Sequence, residues 1–231
     1  MNIIVIGGSR GIGKETAVFM SQDSKKKIIV TGRNESSLKN IVKNSIHRNM
    51  YSITSDLSKF DEQAESFREQ VFLRFNRIDI LINNAGALVV KDFMGFSNRE
   101  AREMMETNFF GPASVIRVLA PLMTKGSHIV NISSMGGFQG SSKYRGLSYY
   151  SASKAALGCI TECLAAEFSA SGISVNCLAL GSVQTEMMEL AFPGYKAPVT
   201  ASEMAGFIAD FAVTGNKFFN GKIIPVAVNN P

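Results

Sequence analysis

Short apolar runs alternate along the chain with longer stretches whose apolar positions recur every three or four residues. Residues 2–6, 27–31, 51–55, 80–82, 128–132, 173–178 and 222–228 are rich in Ile, Val and Leu and too short for helices. They read as strands. The intervening stretches 14–22, 34–44, 61–75, 97–124, 150–171 and 201–213 read as helices. The longest of these that contains proline, 97–124, holds Asn108, Pro112 and Pro121, and a local kink is expected there. Residues 135–148, rich in Gly and Ser, read as loop, and 186–199, with Phe192-Pro193-Gly194-Tyr195, as a mobile flap. There is no repeat, low-complexity segment or linker. Strand–helix alternation from end to end predicts one α/β domain over residues 1–231, a doubly wound, mostly seven-stranded parallel sheet with helices on both faces.

Composition changes this picture little. A hydrophobic fraction of 45% is ordinary for a globular chain of 231 residues. No apolar run reaches the length of a membrane span, and the start reads as a first strand instead of a signal segment. The net charge of +5 is scattered apart from Lys25-Lys26-Lys27, a solvated turn, and no nucleic-acid reading motif accompanies it. The expectation is a protein with neither nucleic acid nor membrane as partner. Cys159, Cys163 and Cys177 form no framework, and with only His47 and His128 no metal site is expected. Core packing in a reducing cytoplasm is the expected role of the three thiols.

Candidate chemistry enters at four places. The run Gly7-Gly8-Ser9-Arg10-Gly11-Ile12-Gly13 stands between a strand and a helix, the context in which a glycine turn cradles a phosphate. Gly7 permits the tight turn, Gly11 lets backbone approach a pyrophosphate, and Gly13 lets the helix pack close to the sheet. The second strand ends in Gly32-Arg33, where an acidic residue would otherwise receive the adenosine ribose hydroxyls. Guanidinium there, with Arg10 as a second arm, suits a ribose 2′-phosphate, so NADP(H) is preferred over NAD(H). Asp56 and Asn83 stand at the carboxyl ends of the third and fourth strands, where open α/β sheets place ligands. Finally, Tyr150 and Lys154 share a helix face at four-residue spacing. A phenol titrates near pH 10 on its own, and a neighbouring cation would lower that value and make it a usable acid/base.

In this order and on these elements, Gly7-xxx-Gly11-x-Gly13, Asp56, Asn83-Asn84-Ala85-Gly86, Asn108, Ser134 and Tyr150-xxx-Lys154 closely resemble the short-chain dehydrogenase/reductase family. The resemblance extends to its 3-oxoacyl-[acyl-carrier-protein] reductase-like members and implies a Rossmann-type fold over the whole chain. It implies that Tyr150 is the general acid of carbonyl reduction, that Lys154 lowers its pKa and holds the nicotinamide ribose, and that Ser134 bonds the substrate oxygen. Asn108 would position a water in a proton relay. Ser134 is preferred to Ser133 because Ser134 to Gly137 matches the family's Ser-x-x-Gly, and Tyr150 to Tyr149 because of its spacing to Lys154. For the cofactor, the resemblance implies Gly7, Ser9, Arg10, Gly11, Ile12, Gly13, Arg33, Asp56 and Leu57 at the adenosine and phosphate end. Asn83 would lie near the adenosine ribose, beside Ala85 and Gly86. Gly181, Val183 and Thr185 would hold the carboxamide, and Tyr150 and Lys154 the ribose.

The chain departs from the family pattern at Ile6, where threonine is common, and at Leu180, where proline usually precedes glycine. The loop before Tyr150 is longer, the stretch after Thr185 shorter, and Val228-Asn229-Asn230-Pro231 lacks the usual acidic-glycine ending. The implied activity is NADPH-dependent reduction of a ketone, small or acyl-carrier-bound, with a 3-oxoacyl thioester as the best single substrate. Alternatives are a sugar, polyol or other secondary-alcohol dehydrogenase, and a nucleotide-binding protein without turnover. Pairing through the long helices, with Ala152, Ala155, Ala156 and Gly158 allowing close approach, would make a homodimer or homotetramer.

Overall fold

The computed structural model describes residues 1–228; the ending at 229–231 lies outside the described residues. Seven parallel strands form the central sheet: β1 (Asn2–Ile6), β2 (Lys27–Gly32), β3 (Met50–Thr54), β4 (Ile78–Asn83), β5 (Met123–Ser134), β6 (Ser174–Leu180) and β9 (Ile223–Val226). Their order is β3-β2-β1-β4-β5-β6-β9, so the winding reverses between β1 and β4. That reversal opens a crevice at the carboxyl ends of the strands. A second, two-stranded parallel sheet pairs β7 (Val183–Gln184) with β8 (Val199–Thr200).

Side chains alternate across a strand, so each strand feeds two cores. Ile3 and Val5 of β1 join Ala17 and Met20 of α1 (Gly11–Ser21), Leu38 of α2 (Glu35–Lys43) and Ile208 of α8 (Ala201–Thr214) on one face. Ile4 and Ile6 join Phe67 and Val71 of α3 (Ala64–Phe72) and Val115, Ile116 and Leu119 of α5 (Gly111–Leu119) on the other. The Ile6 departure therefore fills a core position, with 1% of its surface exposed. Leu180, whose N–H a proline would lack, continues β6 in register with Val226 and Ser134.

Helix starts follow local chemistry. α4 (Asn98–Met105) opens on a capping box in which the Ser97 hydroxyl accepts from the Glu100 N–H while the Glu100 carboxylate accepts from Ser97. α8 repeats the device with Thr200 and Glu203, and the Asn34 side chain caps α2. The single helix expected over 97–124 is instead α4, a π-helical turn at Glu106–Phe110, α5, and a 3₁₀ turn at Ala120–Leu122. β5 begins at Met123, five residues before the expected start at 128, because Met123 pairs with Ile78 ahead of a register shift. The 186–199 stretch is not wholly irregular either: α7 (Glu186–Ala191), capped by the Thr185 hydroxyl, is followed by a turn and β8. α6 (Ser148–Glu167) carries Tyr150 and Lys154.

The cysteines divide. Cys177 is buried in β6, but Cys159 and Cys163 are exposed on α6, which corrects the expectation of three core thiols. Their helical face is solvent-facing because Thr161, Leu157 and Ala165 already fill the core-facing one. Gly158 likewise turns inward, its missing side chain leaving room for Ile223 at 3.1 Å from the would-be Cβ, whereas Ala152 and Ala155 are exposed. No helix among the described residues is long and apolar enough to cross a membrane.

Candidate active site and cofactor cleft

A cleft of about 1000 Å³ runs along the carboxyl ends of the strands, from the glycine turn to Tyr150 and Lys154. At one end β1 turns sharply into α1. The Gly7 and Gly8 N–H groups both donate to the Thr31 carbonyl of β2, and Gly7 has φ +80°. A Cβ on Gly13 would lie 2.2 Å from the Gly7 carbonyl oxygen, so α1 packs directly on the turn. Gly13 therefore faces inward, in the helix-packing role expected of it, while Gly7, Ser9, Arg10, Gly11 and Ile12 line the cleft. A side chain on Gly11 would project toward Thr185 and Glu186, with nothing closer than 3.6 Å.

Gly32, Arg33, Asp56 and Leu57 line the same end. Arg10 and Arg33 are exposed, and neither forms an ion pair among the described residues. Asp56 turns one oxygen onto the backbone and hydroxyl of Ser58. Beside it, Ser55 presents a buried hydroxyl without a protein partner to the cleft wall, a residue the motifs did not single out. An orphaned hydroxyl, a glycine cradle and two uncommitted guanidinium groups fit a phosphorylated adenosine.

Asn83 does not sit where it was expected. It is 1% exposed, does not line the cleft, and donates to Asn131 Oδ1 at 2.8 Å, while its own buried Oδ1 has no partner. Asn131 in turn donates to Thr161 at 2.9 Å, and Thr161 to the Leu157 carbonyl. This buried chain ties β4, β5 and α6 together. The neighbouring Asn84 lines the cleft instead and bonds the Gly7 carbonyl, with Ala85 and Gly86 following it. Alternation along a strand explains the swap: adjacent residues face opposite ways.

At the other end the structure gathers the four candidate catalytic side chains around two glycines. A Cβ on Gly86 would lie 3.3 Å from Lys154 Nζ and 3.5 Å from Asn108 Oδ1. One on Gly136 would lie 3.5 Å from Ser134 Oγ and 3.9 Å from the Tyr150 ring. Asn108 is fully buried in the π-turn: its Oδ1 accepts from the Ala87 N–H, and its amide donates to the Ala87 carbonyl and to Ser153. A π-turn lets α4 and α5 stay nearly continuous while this side chain is held inward. With its amide committed to Ala87 and Ser153, Asn108 does not itself line the cleft, while the adjacent Thr107 does.

The two serine candidates separate by direction. Ser133 donates inward to the Lys154 carbonyl, whereas Ser134 lines the cleft, accepts from the Gly136 N–H and stands beside Tyr150. Tyr149 packs between Phe93 and Phe96. Lys154, 4% exposed, donates to the Ile132 carbonyl, and burial pushes its pKa down to about 8. The Tyr150 ring is half-buried with its surroundings closed over the phenol; that enclosure raises the pKa, and the Ser134 hydroxyl opposes the rise. Gly181, Val183 and Thr185 line the cleft opposite the glycine turn. No cluster of metal-ligating side chains occurs among the described residues.

Known proteins agree with this architecture. The family model described as short chain dehydrogenase matches residues 1–196. The dehydrogenase/reductase SDR family member 7B of Danio rerio is 34% identical over 204 residues, which cover 83% of this chain and 64% of that protein. The chain thus spans less than two thirds of that relative's length. An uncharacterized oxidoreductase of Staphylococcus aureus is 26% identical over 225 residues, covering 96% of this chain and 95% of its own. A short chain dehydrogenase from Burkholderia cenocepacia, solved in complex with NADP, superposes with a TM-score of 0.86 at 24% identity, covering 97% and 95% of the two chains. Motif order, sheet topology and these matches converge, and the chain belongs to the short-chain dehydrogenase/reductase family of nicotinamide-dependent oxidoreductases.

Proposed function

We propose that the protein reduces a ketone to a secondary alcohol with NADPH. The observation that carries this reading is the convergence of Ser134 and Tyr150 on Gly136, at the far end of a cleft that begins at the glycine turn. When bound, the cofactor supplies a hydride to the carbonyl carbon. Negative charge then builds on the carbonyl oxygen, where the Ser134 hydroxyl donates a hydrogen bond and the Tyr150 phenol delivers its proton. A phenol whose pKa is raised stays protonated at neutral pH, which suits an acid in the reducing direction. Lys154 and the buried Asn108 flank Gly86, which supports Lys154 as the holder of the nicotinamide ribose and Asn108 as the residue that positions a water in a proton relay.

Arg10 and Arg33 support NADP(H) over NAD(H), since both are free to meet a 2′-phosphate and no carboxylate stands at Gly32. Gly7, Ser9, Gly11, Ile12, Asp56, Leu57, Ala85, Gly86, Gly181, Val183 and Thr185 complete the cofactor cleft. The exposed small residues Ala152 and Ala155 on α6 support a homodimer or homotetramer, and three unpaired thiols suit a reducing cytoplasm. The test is NADPH consumption with a 3-oxoacyl thioester, run beside NADP⁺ reduction with polyols. Ketone turnover supports the reading. Turnover confined to polyols would replace it with a sugar or polyol dehydrogenase, and tight NADPH binding with no turnover on either would leave a nucleotide-binding protein.

A further inference from the structure

Beyond Ser134 and Tyr150 the cleft wall changes character. Leu88, Met135, Leu147, Met188 and Phe192 line it, and apolar surface predominates over the polar surface that Tyr144, Tyr195 and Glu186 contribute. Tyr144 and Leu147 line this cleft and also a shallow groove on its far side, walled by Phe93, Met94 and Gly146. Phe93 is 61% exposed and Met94 91%. Two loops build the groove and are tied to each other. Arg145 forms a two-pronged ion pair with Asp92 at 2.7 and 2.6 Å, and the Lys91 N–H donates to the Gly146 carbonyl at 3.0 Å. Phe93 is braced from behind by the stacked Tyr149 ring. Exposed apolar side chains on a braced frame, sharing Tyr144 and Leu147 with a catalytic cleft, mark a binding surface.

We infer that the substrate is a ketone bearing a long apolar chain, which runs from Ser134 and Tyr150 past Leu147 and Tyr144 into the Phe93–Met94 groove. The inference rests on the carbonyl-reductase reading and narrows it. An apolar chain loses water along this path, whereas a polyol would leave its hydroxyls against Leu and Met side chains without partners.

The test uses methyl n-alkyl ketones of increasing length. Their affinity is measured for the Tyr150→Phe protein with NADP⁺ bound, so that binding is read without turnover, and their kcat/KM is measured with the unaltered protein and NADPH. Affinity should rise about threefold to fourfold per added methylene until the groove is filled. The Phe93→Ser/Met94→Ser double variant should keep the affinity of the shortest ketones and lose the gain for the longest. Met94→Ser alone, at a side chain with almost no packing to lose, should lose part of that gain. Length-independent affinity, or a long-chain gain untouched by both variants, overturns the inference. So does a change of oligomeric state in the double variant with the length dependence intact, which would assign the patch to a second copy of the chain. Short ketones reduced with no gain from length would sink the long-chain inference and leave carbonyl reduction standing. Length-dependent binding with no ketone reduced would do the reverse.

Discussion

The two ends of the cleft are built in different ways. At the glycine turn, backbone lies against backbone: Gly13 on the Gly7 carbonyl, Gly7 and Gly8 on Thr31, Ala85 on Gly7. At the other end side chains make the walls, drawn from the loops after β4 and β5 and from the α7 segment, with Tyr195 exposed in the cleft and Phe93 and Met94 in the adjoining groove. A backbone-built site tolerates few residue types at each position and recognises a constant chemical group. A side-chain-built site tolerates many and can be retuned without disturbing the first.

The largest expected effect lies where the two ends meet. Tyr150→Phe should lower ketone reduction by about 10²–10⁴-fold, the usual worth of a positioned general acid. NADPH affinity, measured by fluorescence titration, should change little. A comparable loss of NADPH binding would show that the phenol serves the cofactor end and blur the division.

Gly13→Ala tests the backbone-built end directly. Its Cβ would meet the Gly7 carbonyl oxygen at 2.2 Å, and backbone cannot step aside as a side chain tip does. A destabilisation of about 3 kcal/mol is expected in chemical unfolding, with cofactor affinity falling in the protein that remains folded. Met94→Ser, at the side-chain-built end, should leave the unfolding midpoint unmoved.

His128 sharpens the comparison from outside the cleft. It is 1% exposed in β5, bonded to the Ala212 carbonyl and to Asn176, and burial lowers its pKa to about 4. The unfolded chain takes up the proton near pH 6.5, the folded one only near 4, so stability is full above 6.5 and is lost as the pH falls through that window. The loss should reach about 3 kcal/mol, and a His128→Gln variant should show a flatter profile between pH 6.5 and 4. An unchanged slope would mean that another group governs acid stability.

Arg33→Ala should have the smallest effect, a drop of about tenfold in NADPH affinity with NADH affinity unaltered, as expected for one charge-assisted contact at an exposed site. An equal loss for both cofactors would assign Arg33 to the fold of the turn instead of to a 2′-phosphate.

The same division explains what the sequence disclosed. The strand pattern and the glycine spacing announce the sheet and its crevice, because a backbone approach has one cheap solution in residue types. Tyr150 and Lys154 share a helix face by their spacing, and it is the other motifs, in their order along the chain, that single the pair out. Asn83 was misplaced because two adjacent asparagines give no sign of which one faces the cleft; the Asn131 and Thr161 partners that decide it lie far along the chain. The π-turn at Asn108 was foreseen only as a kink, since its cause is the long-range contact with Ala87 and Ser153. The Lys154–Ile132 bond has no local signal either. Neither does the exposure of Cys159 and Cys163, which depends on which face of α6 meets the sheet.

The buried chain from Asn83 through Asn131 to Thr161 carries a consequence for how this protein can change over generations. Asn83 bonds Asn131 and Asn131 bonds Thr161 in the interior, so replacing one by an apolar residue strands an amide group of an asparagine neighbour, a penalty of about 1–3 kcal/mol. Replacing all three together removes the debt. The three positions are therefore epistatic: a lineage that alters one is driven either to revert it or to alter the others, and a route through single steps crosses a valley of unstable intermediates. Phe93 and Met94 can each change in a single step that retunes the groove, while this interior trio moves only as a unit.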